Sequence, residues 1–350
     1  MALTASGTIK YSEIIAEFGT PNNGGLGEFR LSESVGTLND LPLDAGVPQT
    51  GQIKFSDFYS KRLNHVVDLY STSVNNSSRQ NAKDRWNNGN VHIVGSSKTG
   101  KTQPPDTVED RVIINVNATI SSVKGTQTHC ALRTGNWDTN TTLEIEIGTS
   151  GKLYGSGGDG GTGGSANETA GTDGQTGSSA LGIQYPCTVN NLGVIQSGYG
   201  GGGGGGGNTR TTGGGKKSGA VTNGSSGGGG GGGAGLPAGS AGGVQTPLSA
   251  GGGSAGSAGA AGSLSNLVSG AGTGGAGGSE AGTGGNASAV NNSATKAGDG
   301  GTYSSDGSQQ SADGGTGGNN GYAIITNQGS APSVTGNSAT GRIITSTNPT

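Results

Sequence analysis

The 350-residue sequence predicts a mainly β fold with a polyglycine II helix bundle and a small α/β N-terminal module. Three observations carry that expectation. Of 79 glycines, 66 follow residue 140, and there they recur at every third position. Upstream of them lie short runs of alternating β-branched residues, the pattern of half-buried strands. At the start is a short apolar motif present in three copies. Leu, Ile, Val and Phe together make up only about 16% of the chain, too little to bury a conventional core over this length.

The N-terminal unit, residues 1–62, is read from its repeat. Gly7-Thr8-Ile9-Lys10-Tyr11-Ser12-Glu13-Ile14 recurs as Gly27-Glu28-Phe29-Arg30-Leu31-Ser32-Glu33-Ser34 and as Gly51-Gln52-Ile53-Lys54-Phe55-Ser56-Asp57-Phe58. Each copy alternates for one short strand and then offers Ser followed by an acid, an N-cap with negative charge in the first helical turn. Three strand-to-helix units are expected. Residues 63–150 form a β-rich middle region, with runs at Val91–Val94, Arg111–Val116 and Thr142–Ile147 between turn-rich segments. That spacing predicts a small antiparallel sheet, with a turn over Gly148–Tyr154 leading into the glycines.

Residues 151–350 hold the bundle. Gly155, Gly158, Gly161 and Gly164 share one register and Gly157, Gly160 and Gly163 a second, whereas residues 200–207 are, Gly after Gly, unbroken. A period of three is that of the polyproline II helix, which makes no internal hydrogen bonds and needs external partners for its backbone. Collagen needs long uninterrupted repeats rich in proline, and this chain has only 10 prolines. Tracts that fold back on one another are therefore expected, with loops at both ends. Apolar strands at Ala180–Val189, Leu192–Ile195, Ala323–Thr326 and Arg342–Thr345 would pin the tract ends.

Several motifs that suggest chemistry lose to blander readings. Gly95-Ser96-Ser97-Lys98-Thr99-Gly100-Lys101-Thr102 satisfies the phosphate-loop pattern, but Gln103-Pro104-Pro105 follows at once and bars the helix such a loop must open. Gly158-Asp159-Gly160 and Gly298-Asp299-Gly300 are similar to calcium-binding β-roll pieces but lack their nonapeptide period. Cys130 and Cys187 with three histidines give no metal-ligand spacing; pairing of the two cysteines is left open. No catalysis and no cofactor are expected. A formal charge of −3 gives no sign of nucleic-acid binding. The N-terminal residues lack the basic and apolar regions of a signal peptide, and no stretch reaches the length of a membrane span.

The N-terminal repeat, with Gly51–Tyr59 and with Ile9–Ile14 followed by Glu17-Phe18-Gly19, resembles the short module at the start of many tailed-bacteriophage tail proteins. Val189-Asn190-Asn191-Leu192-Gly193-Val194-Ile195 followed by Gly200–Gly207 is similar to the glycine-rich distal regions of phage tail fibres and adhesins. In T-even-type adhesins such tracts pack as polyglycine II helices and the loops between them bind the host. The resemblance implies a virion tail-fibre or tail-tip protein made in the host cytoplasm. Its N-terminal module would attach to other tail proteins, and its loops would meet a bacterial receptor, either an outer-membrane protein or a polysaccharide. The contact loops it implies are residues 208–226, with Arg210, Lys216, Lys217 and Asn223, and residues 302–312, with Tyr303, Asp306 and Gln309. A passive tail spacer and an ice-binding bundle are the alternatives.

Overall fold

The structure is a computed structural model that describes residues 3–18, 25–26, 51–60, 64–69, 77–87, 92–93, 111–139, 141–165, 169–212, 221–244, 273–276, 281, 283–287 and 309–350. In the N-terminal unit, helix α1 (Tyr11–Phe18) and a 3-10 turn (Phe55–Phe58) come from the first and third repeats. The expected serine caps are corrected: Ser12 and Ser56 lie inside these turns. The acid of each motif reaches back instead, Glu13 Oε2 accepting from the Lys10 N–H at 2.8 Å and Asp57 Oδ2 from the Lys54 N–H at 2.7 Å. A free backbone donor at the helix start is thus satisfied from the third helical position. No strand precedes either turn among the described residues. Ile9, Ile14 and Phe58 form their own small core, with Ile53 and Tyr59 against it, so the first and third copies pack together. The middle copy, residues 27–34, lies outside the described residues.

The middle region is built as successive coils. Strands β1 (Asn64–Leu69), β2 (Ser77–Ser78) and β3 (Gln80–Asn81) make the first, followed by α2 (Ala82–Asn87) and β4 (His92–Ile93). The second coil is β5 (Arg111–Val116), β6 (Thr119–Ser121) and β7 (Cys130–Arg133). The third is β8 (Thr142–Ile147), β9 (Lys152–Tyr154) and β10 (Ser179–Ile183). The fourth opens with β11 (Cys187–Asn191) and β12 (Val194–Gln196). After an excursion that contains β13 (Asn208–Thr212), β14 (Val221–Ser225) and β15 (Gln309–Ser311), it closes with β16 (Tyr322–Thr326). The last holds β17 (Ser333–Gly336) and β18 (Arg342–Ile344), with Thr340 bridging to Gln196 between them.

Each of the first four coils gives one strand to each of three sheets, and the last gives β17 to the first and β18 to the third; the orders are β17-β11-β8-β5-β1-β4, β12-β9-β6-β2 and β18-β16-β10-β7-β3. Among the described residues of these three sheets every pairing between coils is parallel, and β4 on β1 is the antiparallel one. The expected antiparallel sheet is therefore corrected to a parallel one, and the expected turn at Gly148–Tyr154 contains the strand β9. Successive apolar runs do become neighbours, but only after the chain has passed through two other sheets, which removes the hairpin.

In-register stacking then puts like on like. One column runs Val67, Ile114, Ile145, Val189 and Val334; a second runs Ile120, Leu153 and Ile195; a third runs Leu132, Leu181 and Ile324. Except for Val334 all of these are buried, and the columns of the three sheets meet in one core. Few apolar residues suffice because every one of them is repeated at the same place in the next coil. Asn191 follows Ile147 in the Leu69, Val116, Ile147 column; its side chain donates to Asn337 O at 2.9 Å and accepts from the Gly193 N–H at 3.1 Å, so its own buried amide is paired at both ends.

The glycine segments leave this scaffold at one corner, between the second and third sheets. Eight extended tracts are described: tract 1 (155–165), tract 2 (169–178), tract 3 (197–207), tract 4 (226–234), tract 5 (238–243), tract 6 (273–276), tract 7 (283–287) and tract 8 (312–321). Their backbones bond to one another with a period of three. In tract 1, Gly157, Gly160 and Gly163 donate to tract 5 at Pro237, Ser240 and Gly243, and Gly158, Gly161 and Gly164 donate to tract 3 at Tyr199, Gly202 and Gly205. The carbonyls of Ser156, Asp159 and Thr162 accept from Ser178, Gln175 and Thr172 of tract 2. The carbonyls of Gly158, Gly161 and Gly164 accept from Gly233, Gly230 and Gly227 of tract 4, so every third residue repeats the same partners.

Glycine density follows how many neighbours a tract has. Tract 2 touches tracts 1, 3 and 8 and keeps glycine at Gly171, Gly174 and Gly177, where a Cβ would meet the backbone of tract 3. Tract 3 bonds to tracts 1, 2, 4, 7 and 8, and it is unbroken glycine from Gly200 to Gly207. A Cβ at Gly203 would stand 1.9 Å from Gly315 O, and one at Gly202 the same distance from Gly285 O. Only glycine permits backbones to approach that closely.

Polar side chains lock the tracts to the coils. Ser156 and Ser178 hydroxyls meet at 2.9 Å, Gln196 Nε2 donates to Tyr199 Oη at 3.1 Å, and Asn320 Oδ1 accepts from the Gly200 N–H at 2.9 Å. Asp159 accepts from Lys124 Nζ at 2.5 Å and from the Ser240 N–H at 2.6 Å, tying the second coil to tracts 1 and 5. Burial opposes the charge on Asp159, but the Lys124 and Ser240 hydrogen bonds outweigh it and hold the carboxyl below its usual range. A folded-state pKa below the unfolded one adds stability that is present above the ordinary carboxylate range and is lost as pH falls through the depressed value. Asp159→Asn is therefore expected to lower the melting temperature at pH 7 and to flatten its fall under acid. Thermal melts of both proteins between pH 7 and pH 3 check this, and parallel curves would contradict it.

Candidate functional site

Strands β13, β14 and β15 form a sheet apart from the coils, in the order β14-β13-β15. Each continues a tract. Tract 3 runs from β12 straight into β13, tract 4 starts where β14 ends, and tract 8 leads from β15 back to β16. At a rise of roughly 3.1 Å per residue, tract 3 carries β13 about 30 Å from the core. The sheet is thus the end of the tract array opposite the coils.

Register brings two distant segments together. Arg210 pairs with Asn223 on one side and with Gln309 on the other, so three of the anticipated contact residues share one row across all three strands. The next row holds Gly224, Thr209 and Gln310, and the one beyond it Ser225, Asn208 and Ser311. Segments 208–226 and 302–312, read from the sequence as loops, are in this respect corrected: both contain strands. Lys216, Lys217, Tyr303 and Asp306 lie outside the described residues, as does the phosphate-loop-like motif at 95–102. The Asn208 and Thr209 rows were missed by sequence reasoning. Their signal was the β-branched Thr209, Thr211, Thr212, Val221 and Thr222 on either side of a glycine-rich stretch, a composition that suits a polar hairpin.

Elsewhere the titratable groups are structural. Burial pushes the Cys130 thiol up to about 12 against the opposing charges of Arg133 and Arg79, and burial alone pushes Cys187 up to about 12. Both are free thiols, so the pairing left open by the sequence is not made. At neutral pH neither holds an appreciable thiolate fraction. Among the described residues no group of three or more His, Cys, Asp or Glu could hold a metal ion, and no helix is long and apolar enough to cross a membrane.

Residues 81–227, from the first coil through β13 and β14 to the start of tract 4, match the family described as phage tail fibre adhesin Gp38. Over that part of its length the chain is similar to phage tail-fibre adhesins. It is also similar, at 17% identity and a TM-score of 0.32 over 98% of this chain and 99% of the other, to a chain in the crystal structure of the gp37-gp38 adhesin tip complex of the bacteriophage S16 long tail fibre. No curated protein matches it.

Proposed function

We propose that this chain is a bacteriophage tail-fibre adhesin of the virion tail that binds the host bacterial surface with the far end of a polyglycine II bundle, through Arg210, Lys216, Lys217 and Asn223 of residues 208–226 and Tyr303, Asp306 and Gln309 of residues 302–312. The row shared by Arg210, Asn223 and Gln309 is the observation that carries the reading, since residues 99 apart in sequence meet there. The period-three bonding of tracts 1–5 supports the polyglycine II assignment, because a helix of three residues per turn returns to the same neighbour at every third residue. Stiffness then comes from bonds between tracts, and tip residues are free to vary without disturbing a core.

Residues 1–62 would attach the chain to other tail proteins, residues 63–150 would anchor the bundle, and residues 151–350 would display the tip. The separate small core of the first unit supports that division, although β10, β11, β16 and β17 return the last unit to the sheets of the second. The work is binding rather than catalysis. Replacing residues 209–224 by a two-residue Asn-Gly turn should abolish adsorption of fluorescently labelled protein to a panel of candidate host bacteria. Its melting temperature should stay within a few degrees of the parent. Undiminished adsorption by the folded variant would remove this hairpin from the site and favour a passive spacer.

A further inference from the structure

The geometry points to an anionic glycan as the receptor of the tip sheet, held through the Asn223–Arg210–Gln309 row, an inference that rests on the reading of the tip as the adhesive end. The thirteen residues of β13, β14 and β15 include one aliphatic side chain, Val221, and no aromatic one; the rest are Thr, Asn, Ser, Gln, Gly and Arg210. Protein–protein interfaces are anchored by buried aromatic and apolar residues, which this sheet does not supply. Residues two apart on a strand share a face, so the Ser225–Asn208–Ser311 row lies on the same face as the Asn223–Arg210–Gln309 row, and its amide and hydroxyls suit a hydrated polyol instead.

Charge selects among polyols. Between residues 174 and 279 the sequence has no Asp or Glu, and its only cations are Arg210, Lys216 and Lys217, so this stretch of a chain with formal net charge −3 is locally positive. Arg210 sits on the central strand of the sheet, with an amide residue paired to it on each side. A guanidinium offers a planar fork to a carboxylate or phosphate, and neighbouring amides serve the sugar hydroxyls beside that anion. Such groups reach a bacterial surface from two sources, uronate polymers and the phosphates of lipopolysaccharide, which share this chemistry.

The test uses the immobilised full-length protein and four soluble probes: polygalacturonate, phosphorylated lipopolysaccharide, the same lipopolysaccharide after dephosphorylation, and neutral dextran. One of the two anionic probes should bind and dextran should not, and loss of binding on dephosphorylation would identify phosphate as the source. Arg210→Gln should weaken that binding about tenfold at an unchanged melting temperature, with Arg210→Lys between the two. Raising ionic strength to about 0.5 M should weaken it comparably. Adsorption to intact cells is read separately. If cells are bound equally well by Arg210→Gln, or if protease treatment of the cells abolishes adsorption while no anionic probe binds, the glycan inference fails and the adhesin reading stands. If no cell is bound while polygalacturonate still binds through Arg210, the host-adhesin reading fails and the glycan inference stands.

Discussion

Gly203→Ala is expected to unfold the tract array, whereas Gly243→Ala, the same change in another tract, is expected to be close to neutral. At Gly203 the added Cβ would lie 1.9 Å from Gly315 O and 2.4 Å from Gly315 C, atoms of a backbone that cannot swing aside as a side chain does. Relief requires tract 8 to move off tract 3, and that breaks the bonds from Gly315 to Gly204, from Gly318 to Gly201 and from Gly321 to Gly198. Each buried backbone group left unpaired costs about 1–3 kcal/mol, so the change is expected to cost upwards of about 4 kcal/mol. At Gly243 the nearest atom to an added Cβ is Thr162 Cγ2 at 3.9 Å, an ordinary contact, and alanine there also reduces the freedom of the unfolded chain. Melting temperatures of the two variants beside the parent decide the matter. A Gly203→Ala protein that melts within about 2 °C of the parent would show that tract 8 does not rest on tract 3.

Ile145→Ala is expected to destabilise the coils by about 3–4 kcal/mol, at the upper middle of the range for buried Ile-to-Ala changes. Ile145 is fully buried, and it stands between Ile114 and Val189 in the longest column of the core, so the cavity it leaves is walled above and below by residues fixed in parallel ladders. Collapse into that space would require two strands to leave register. Chemical denaturation should show a lower midpoint with an unchanged slope. Because β9 and β12 feed tracts 1 and 3, the variant is also expected to lose adsorption near its melting temperature although no tip residue has changed. Adsorption that survives above the melting transition of the coils would uncouple the two parts.

Part of this was written plainly in the chain. The alternation in Arg111–Val116 and Thr142–Ile147 marks strands, and both are strands. The glycine period of three is met by backbone bonding in threes. The direction of the sheets was not legible. A turn-rich stretch after a strand reads the same whether the chain reverses or rounds a corner, and the β6 and β7 strands that make the corner are only three and four residues long. The serine caps failed for a related reason. Ser12 and Glu13 both suit a helix start, and only the packing of Ile9 and Ile14 in the N-terminal core fixes which backbone donor is left to be satisfied.

By itself the sequence determined the kinds of element and one aspect of their arrangement: unbroken glycine over Gly200–Gly207 already states that this tract is surrounded, since any face left open would admit a side chain. Which tracts surround it was decided only in three dimensions. Glycine has no side chain with which to distinguish one neighbour from another, so partner choice falls to the strands at the tract ends and to a few polar locks such as Asp159 and Asn320. For the same reason the row of Arg210, Asn223 and Gln309 follows from where the ends of tracts 3, 4 and 8 are held, and no local feature of those three residues specifies it.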